Sequence, residues 1–266
     1  MIDFAQTWPP ADPLTLMVVA LVGLCLGSFL NVVIYRLPRG LSLLRPRSSC
    51  PRCGHAIRPW HNVPVAGWIW LRGRCHDCRE PIPARYPLIE LLGGGLALLA
   101  VLAFPSPWAS LGAWWLLFAL LAVFVIDLEH RIIPDEISLG GTALGLLLSP
   151  ATLGLRSALG GVAIGAGSLY LISWIYQKRR GRSGMGLGDV KLAAMLGAFL
   201  GIQGVVLTII LASLLGSVLG IGLILFHRAS RTTALPFGSF LAPAAVAAAL
   251  WGPRIWAWYA GMPLLR

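Results

Sequence analysis

Long, almost uninterrupted apolar runs dominate the chain, separated by short polar stretches. The runs cover 13–37, 86–104, 108–127, 134–155, 157–177, 189–201, 202–226 and 236–260. Several approach or exceed the roughly 20 residues a helix needs to cross a bilayer. The pattern predicts an all-α polytopic membrane protein with about eight transmembrane helices. The sixth run is short and meets the seventh with almost no loop between them, so that boundary is weakly marked. Only one polar stretch is long, 38–85, and it divides the chain into a first helix (1–37), a small polar domain (38–85) and a membrane-embedded remainder (86–266). No long repeat is visible. Gly-x-x-x-Gly pairs at Gly141/Gly145, Gly161/Gly165, Gly197/Gly201 and Gly216/Gly220 are read as sites of tight helix packing, without chemistry.

Composition agrees with a bilayer. Of 266 residues 57% are hydrophobic and only 12% charged, and the mean hydropathy is +0.78. A soluble domain carries about 25% charged residues. The opening residues 1–12 are acidic and polar and lack the basic start of a removable signal. The net charge of +11 would suggest nucleic acid if it were spread over a soluble surface. It is instead sorted between loops. With the N-terminus outside, 18 of the 21 Lys and Arg fall on the cytoplasmic side, leaving Arg156, Arg254 and Arg266 outside. That is the positive-inside pattern, and it excludes nucleic acid as the partner. It also brings Asp127 and Asp189 to the cytoplasmic ends of the third and sixth spans.

The polar domain contains Cys50-x-x-Cys53 and, after 21 residues, Cys75-x-x-Cys78. The gap is slightly longer than usual for a zinc ribbon, but the pairing is typical. Four thiolates can close a tetrahedral zinc site, and so small a domain needs such a staple. A cytoplasmic position argues against disulfides. His55, His61 and His76 are expected at the surface outside the ligand set, and Cys25 as a small buried apolar residue.

Acidic residues are scarce: ten in all, four of them Asp127, Glu129, Asp135 and Glu136. Asp135 and Glu136 follow Pro134 into a first helical turn, where the dipole favours them. Glu129, His130 and Arg131 read as solvated loop charges. Asp127 sits at a helix C-terminal end, where negative charge is disfavoured. Asp189 lies in Gly184-Met185-Gly186-Leu187-Gly188-Asp189-Val190-Lys191-Leu192, where Gly186 and Gly188 allow a tight backbone path. A carboxylate at the lipid edge costs several kcal/mol unless offset. Two such carboxylates brought together would share a proton, one activating water and the other hydrogen-bonding a scissile carbonyl. The alternative is structural: Asp189 capping its helix and Asp127 paired with an arginine.

That glycine-aspartate stretch resembles the bacterial type IV prepilin peptidases, and Gly186-x-Gly188-Asp189 the wider Gly-x-Gly-Asp intramembrane aspartic proteases. Gly27-Ser28-Phe29-Leu30-Asn31, Arg36-Leu37-Pro38, the cysteine pairs, Arg85-Tyr86-Pro87 with Glu90, Asp127 with Pro134-Asp135, and Pro236-Phe237-Gly238 follow in the family's order. The resemblance implies an inner-membrane enzyme with a periplasmic N-terminus and a cytoplasmic-side active site. Asp127 and Asp189 would be its catalytic pair, with Gly186, Gly188, Asp135 and Lys191 in support. It would cleave the basic leader of type IV prepilins or pseudopilins after a glycine, before a residue that is usually phenylalanine. It further implies N-methylation of the new terminus with S-adenosylmethionine. No nucleotide fingerprint locates the residues for that step. Ser239 departs from the proline the family often carries after Phe-Gly, and is expected away from both aspartates. Other readings are a different intramembrane aspartic protease without methylation, an ion-coupled transporter, or a zinc-stabilised scaffold.

Overall fold

The computed structural model describes residues 12–181, 186–226 and 235–261. Gly184 and Met185 of the glycine-rich stretch lie outside them, as do 227–234. The chain divides into two compact units between Phe118 and Ala119. The described residues are helical apart from turns and two isolated bridges in the cysteine loop.

The first unit is built on α1 (Pro13–Arg36) and α3 (Arg85–Ala103). Asp12 caps α1 by accepting from the Thr15 N–H at 2.7 Å, which holds its carboxyl below the usual range, and Pro13 follows at the first helical position. The two helices approach closely. A Cβ on Gly27 would come within 2.9 Å of the Glu90 Cα, and one on Gly93 within 2.6 Å of the Gly23 carbonyl oxygen. Between α1 and α3 lie the cysteine loop and the short α2 (Ala66–Trp70). Cys25 is exposed on α1. The expected buried position is therefore wrong, because the neighbouring Gly23 and Gly27, not Cys25, face α3.

The 24-residue α4 (Pro107–His130) runs from the first unit into the second. It continues past Asp127, so Glu129 and His130 belong to a helical last turn instead of a loop. Arg131, at φ 56, ends it. The second unit adds α5 (Asp135–Leu148), α6 (Leu155–Arg180), α7 (Leu187–Leu225) and α8 (Gly238–Tyr259).

Among the described residues six helices are long and apolar enough to cross a membrane: α1, α3, α4, α6, α7 and α8. The other two of the eight expected spans have identifiable origins. α5 has 14 residues, about 21 Å of helix, which is short for a core about 30 Å thick. The 39 residues of α7 would reach about 58 Å if straight. They are not straight. Gly201 interrupts the helix at φ 68, ψ −172. A Cβ on Gly165 would lie 2.5 Å from the Ala193 carbonyl oxygen and 2.8 Å from the Val205 side chain. Ala193 and Val205 stand twelve positions apart, about 18 Å along a straight helix, yet flank one point. α7 therefore folds back at Gly201 into two helices, at the boundary expected between spans six and seven.

α6 packs along this hairpin. A Cβ on Gly161 or on Gly197 would strike backbone of the facing helix, so these two glycines set the approach of α6 and α7. Gly216 and Gly220 differ: their nearest neighbours stand at 3.5 and 3.4 Å, ordinary contact distances. Packing does not demand glycine there, contrary to expectation.

Candidate active site

The second unit gathers three helix ends around Asp127. Asp127 is 4% exposed although it stands one turn from the end of α4. Its Oδ2 accepts two hydrogen bonds from Ser239, one from the backbone N–H at 2.7 Å and one from the hydroxyl at 2.9 Å. Ser239 is the second residue of α8, so its N–H is one of those a helix N-terminus leaves without an intrahelical partner. The end of α4 disfavours this carboxylate, but the start of α8 receives it. Ser239 is thus not remote from the aspartates. Sequence order placed it far away; the turn into α8 returns it to Asp127.

Asp189 occupies the third position of α7, after Gly186 as N-cap, and its N–H donates to the Gly186 carbonyl at 3.2 Å. It too sits on a helix N-terminus, and it is half-buried. The residue before it, Gly188, and Gly238, which adjoins Asp127 Oδ2, both pack on the side chain of Ile133. Both aspartates thus lie on positive helix ends, which offsets part of the cost of holding two acids together.

The close approach depends on small residues around Ile133. A Cβ on Gly188 would come within 3.1 Å of Ile133, and one on Gly238 within 2.8 Å of Ile133 and 3.0 Å of Asp127 Oδ2. Gly188 serves by absence of bulk, since only a positive φ would demand glycine for its conformation and it has none. Ile133, Gly238 and Ser239 were not singled out as site residues from sequence. The visible signal was Pro236-Phe237-Gly238, a motif placing glycine next to Ser239. Lys191 donates to both oxygens of Asp135 at 2.7 Å, tying the start of α5 to the start of α7. The pair is solvent-accessible and is worth at most about 1 kcal/mol.

The four cysteines of the first unit converge, with all Sγ atoms within 4.8 Å of one another. Cys50 and Cys78 Sγ are 3.8 Å apart, and a tetrahedron with Zn–S bonds of about 2.3 Å has edges of about 3.8 Å. The two pairs are built alike. Cys50 N–H donates to His55 O and Gly54 N–H to Cys50 O; Cys75 N–H donates to Glu80 O and Arg79 N–H to Cys75 O. Gly54 and Arg79 hold the same left-handed position, at φ 74 and φ 61. Against the effect of its burial, the N–H groups of Cys53 and Arg52 bring the Cys50 thiol down to about 7. Despite the Glu80 N–H, burial and the neighbouring thiols push Cys78 up to about 12. Four sulfurs at one point cannot all ionise without a cation, so the donor set fits a thiophilic metal. His61 and His76 stack at 4.9 Å outside the set.

Comparison with known proteins follows this division. The Bacterial Peptidase A24 N-terminal domain matches residues 21–104, and the Type IV leader peptidase family matches residues 114–221. The chain is 40% identical to the prepilin leader peptidase/N-methyltransferase of Aeromonas hydrophila, over 91% of this chain and 92% of that one. It is 39% identical to the protein of that name from Stutzerimonas stutzeri, over 94% and 95%. Against that of Pseudomonas aeruginosa the identity is 38%, over 96% of both chains. No solved structure matches. With some two-fifths of its residues shared across nine-tenths of these relatives, this multi-pass membrane protein belongs to the type IV leader peptidase family.

Proposed function

We propose that this protein is an aspartic endopeptidase of the bacterial inner membrane that removes the basic leader of type IV prepilins or pseudopilins. Asp127 and Asp189 are the catalytic pair. The observation that carries the reading is the meeting of the starts of α7 and α8 at Ile133, with Asp127 gripped by two Ser239 donors. Both donors act on one oxygen of Asp127 and suit its carboxylate form, which makes it the base that draws a proton from water. Asp189 then holds the shared proton and hydrogen-bonds the scissile carbonyl. Neither a metal nor a side-chain nucleophile is required.

The N-terminus is periplasmic and the dyad faces the cytoplasm, where the basic leader of a prepilin meets its apolar helix. The cut follows a glycine and precedes a residue that is usually phenylalanine. Residues 1–37 form the first transmembrane helix, 38–85 the cysteine domain and 86–266 the peptidase core. Gly186, Gly188, Asp135 and Lys191 support the site by close packing and by joining α5 to α7. Cys50, Cys53, Cys75 and Cys78 hold a structural zinc that clamps their loop.

The relatives' name carries a second activity, N-methylation of the new terminus with S-adenosylmethionine as donor. A cavity of about 180 Å³ beside the cysteines, with Trp68, the stacked His61 and His76, and Asp77 in its wall, has room for part of such a donor. These side chains would supply aromatic faces and a carboxylate to the donor.

The test is incubation of purified enzyme with a prepilin and S-adenosylmethionine, followed by mass analysis of the product N-terminus. Asp127→Asn and Asp189→Asn should each lower cleavage about 10²- to 10⁴-fold while the protein still inserts. Ordinary turnover by either variant would end the two-aspartate reading.

A further inference from the structure

The first unit has a second, larger cavity, of about 440 Å³, between α1, the start of α3 and the cysteine loop. Two buried groups in its wall present acceptor oxygens. Glu90 is 9% exposed. One of its oxygens, Oε2, takes the Val65 N–H at 2.6 Å. Asn31 is 4% exposed. Its amide nitrogen donates to the carbonyls of Tyr86 at 3.1 Å and Gly27 at 3.5 Å, leaving Oδ1 buried without a partner. Arg36 lines the same cavity but spends its guanidinium on the carbonyls of Ser42 and Arg47.

The carboxylate is held in place at a conformational cost. Val65 has φ 60, ψ −52, and the Ala66 N–H donates to the Pro64 carbonyl at 2.6 Å. This is a γ-turn of the rare, strained kind, centred on a β-branched residue for which positive φ is an outlier. The turn aims the Val65 N–H at Glu90. Close packing of Gly27 on Glu90 sets Asn31, one helical turn further on, beside the same wall. Strain that the surroundings hold in place clusters at functional sites.

We propose that this cavity receives a free α-amino terminus, with Glu90 and Asn31 Oδ1 as its recognition groups, and is the acceptor site for N-methylation. The proposal rests on the reading of this protein as an N-methylating peptidase. An amino terminus offers N–H to both acceptors. An α-ammonium has no lone pair, so it first gives a proton to the second oxygen of Glu90. The amine lone pair then forms the N–CH₃ bond as the S–CH₃ bond of the donor breaks, the bonding pair returning to sulfur. The products are a neutral thioether and a secondary ammonium, and Glu90 returns its proton to water. Glu90 also borders the smaller cavity beside the cysteines, so donor and acceptor would meet at its carboxylate.

The test uses full-length enzyme in detergent and a synthetic peptide that begins with phenylalanine and carries the apolar start of a mature pilin. Its binding is read by fluorescence anisotropy without methyl donor, with the amine free or acetylated. The wild type should prefer the free amine about tenfold, and Glu90→Gln should bring the ratio near one. Ser28→Trp, on the α1 wall of the cavity, should weaken both peptides and keeps the test decisive if Glu90→Gln does not fold. Methylation of the same peptide should fall with Glu90→Gln. An unchanged preference in Glu90→Gln, no preference in the wild type, or unaltered binding by Ser28→Trp would overturn the site. A wild type that prefers the free amine but never methylates it would instead overturn the methylation reading and leave the amine site standing.

Discussion

Ser239 decides how Asp127 is held. Its N–H and hydroxyl converge on one oxygen, and a proline at that place would offer neither donor. A hydrogen bond to a charged group is worth about 1.5–3 kcal/mol, so Ser239→Ala should lower kcat about tenfold or more. KM should stay within about twofold where the serine acts through Asp127. A rise in KM with kcat intact would show that the serine does not act through Asp127. The site was only partly legible in sequence for a related reason. Two acids in an apolar chain stand out by their cost. The groups that offset that cost, a serine and two glycines, are ordinary residues whose value appears only when α8 turns back onto α4.

At the level of the element, glycine spacing was legible but its meaning was not uniform. Gly161 and Gly197 pack backbone against backbone, whereas Gly216 and Gly220 have ordinary room. The same four-residue spacing arises in both cases, since it follows from helix geometry and says nothing about what lies opposite. Gly161→Ala should lower the unfolding temperature in detergent by several degrees, and Gly216→Ala should leave it unchanged. Equal effects would mean that α6 and α7 do not meet at these glycines. The convergence of the four cysteines was legible from their spacing, because four thiols at that interval have few other uses. Two short bridges and two similar turns hold the loop on the protein side. Removal of the metal by a chelator, or Cys75→Ser, should abolish bound zinc and open the loop to proteolysis. Retention of a protected loop without metal would show that the staple is dispensable.

The number of membrane crossings follows from one residue. If α7 were a single helix, the chain would cross seven times, counting α5, and α8 would end on the side opposite the N-terminus. The reversal at Gly201 makes the count eight and returns the end of α8 to the side of the N-terminus. Hydropathy alone could not settle this, because spans six and seven join without a polar loop and the first is shorter than a bilayer. The break is visible only as a backbone conformation that glycine adopts without strain. Charge supports the proposed direction: Lys178, Arg179 and Arg180 form the last turn of α6, while Arg156 stands alone at its start. A positive charge is retained on the cytoplasmic side. Alkaline phosphatase, active only outside, should therefore report activity when fused after Gly154 or Gly261 and none after Gly181. Activity after Gly181 would reverse the orientation. Silence after Gly261, with the other two as expected, would mean that α7 crosses once and that the fold-back at Gly201 does not span the membrane.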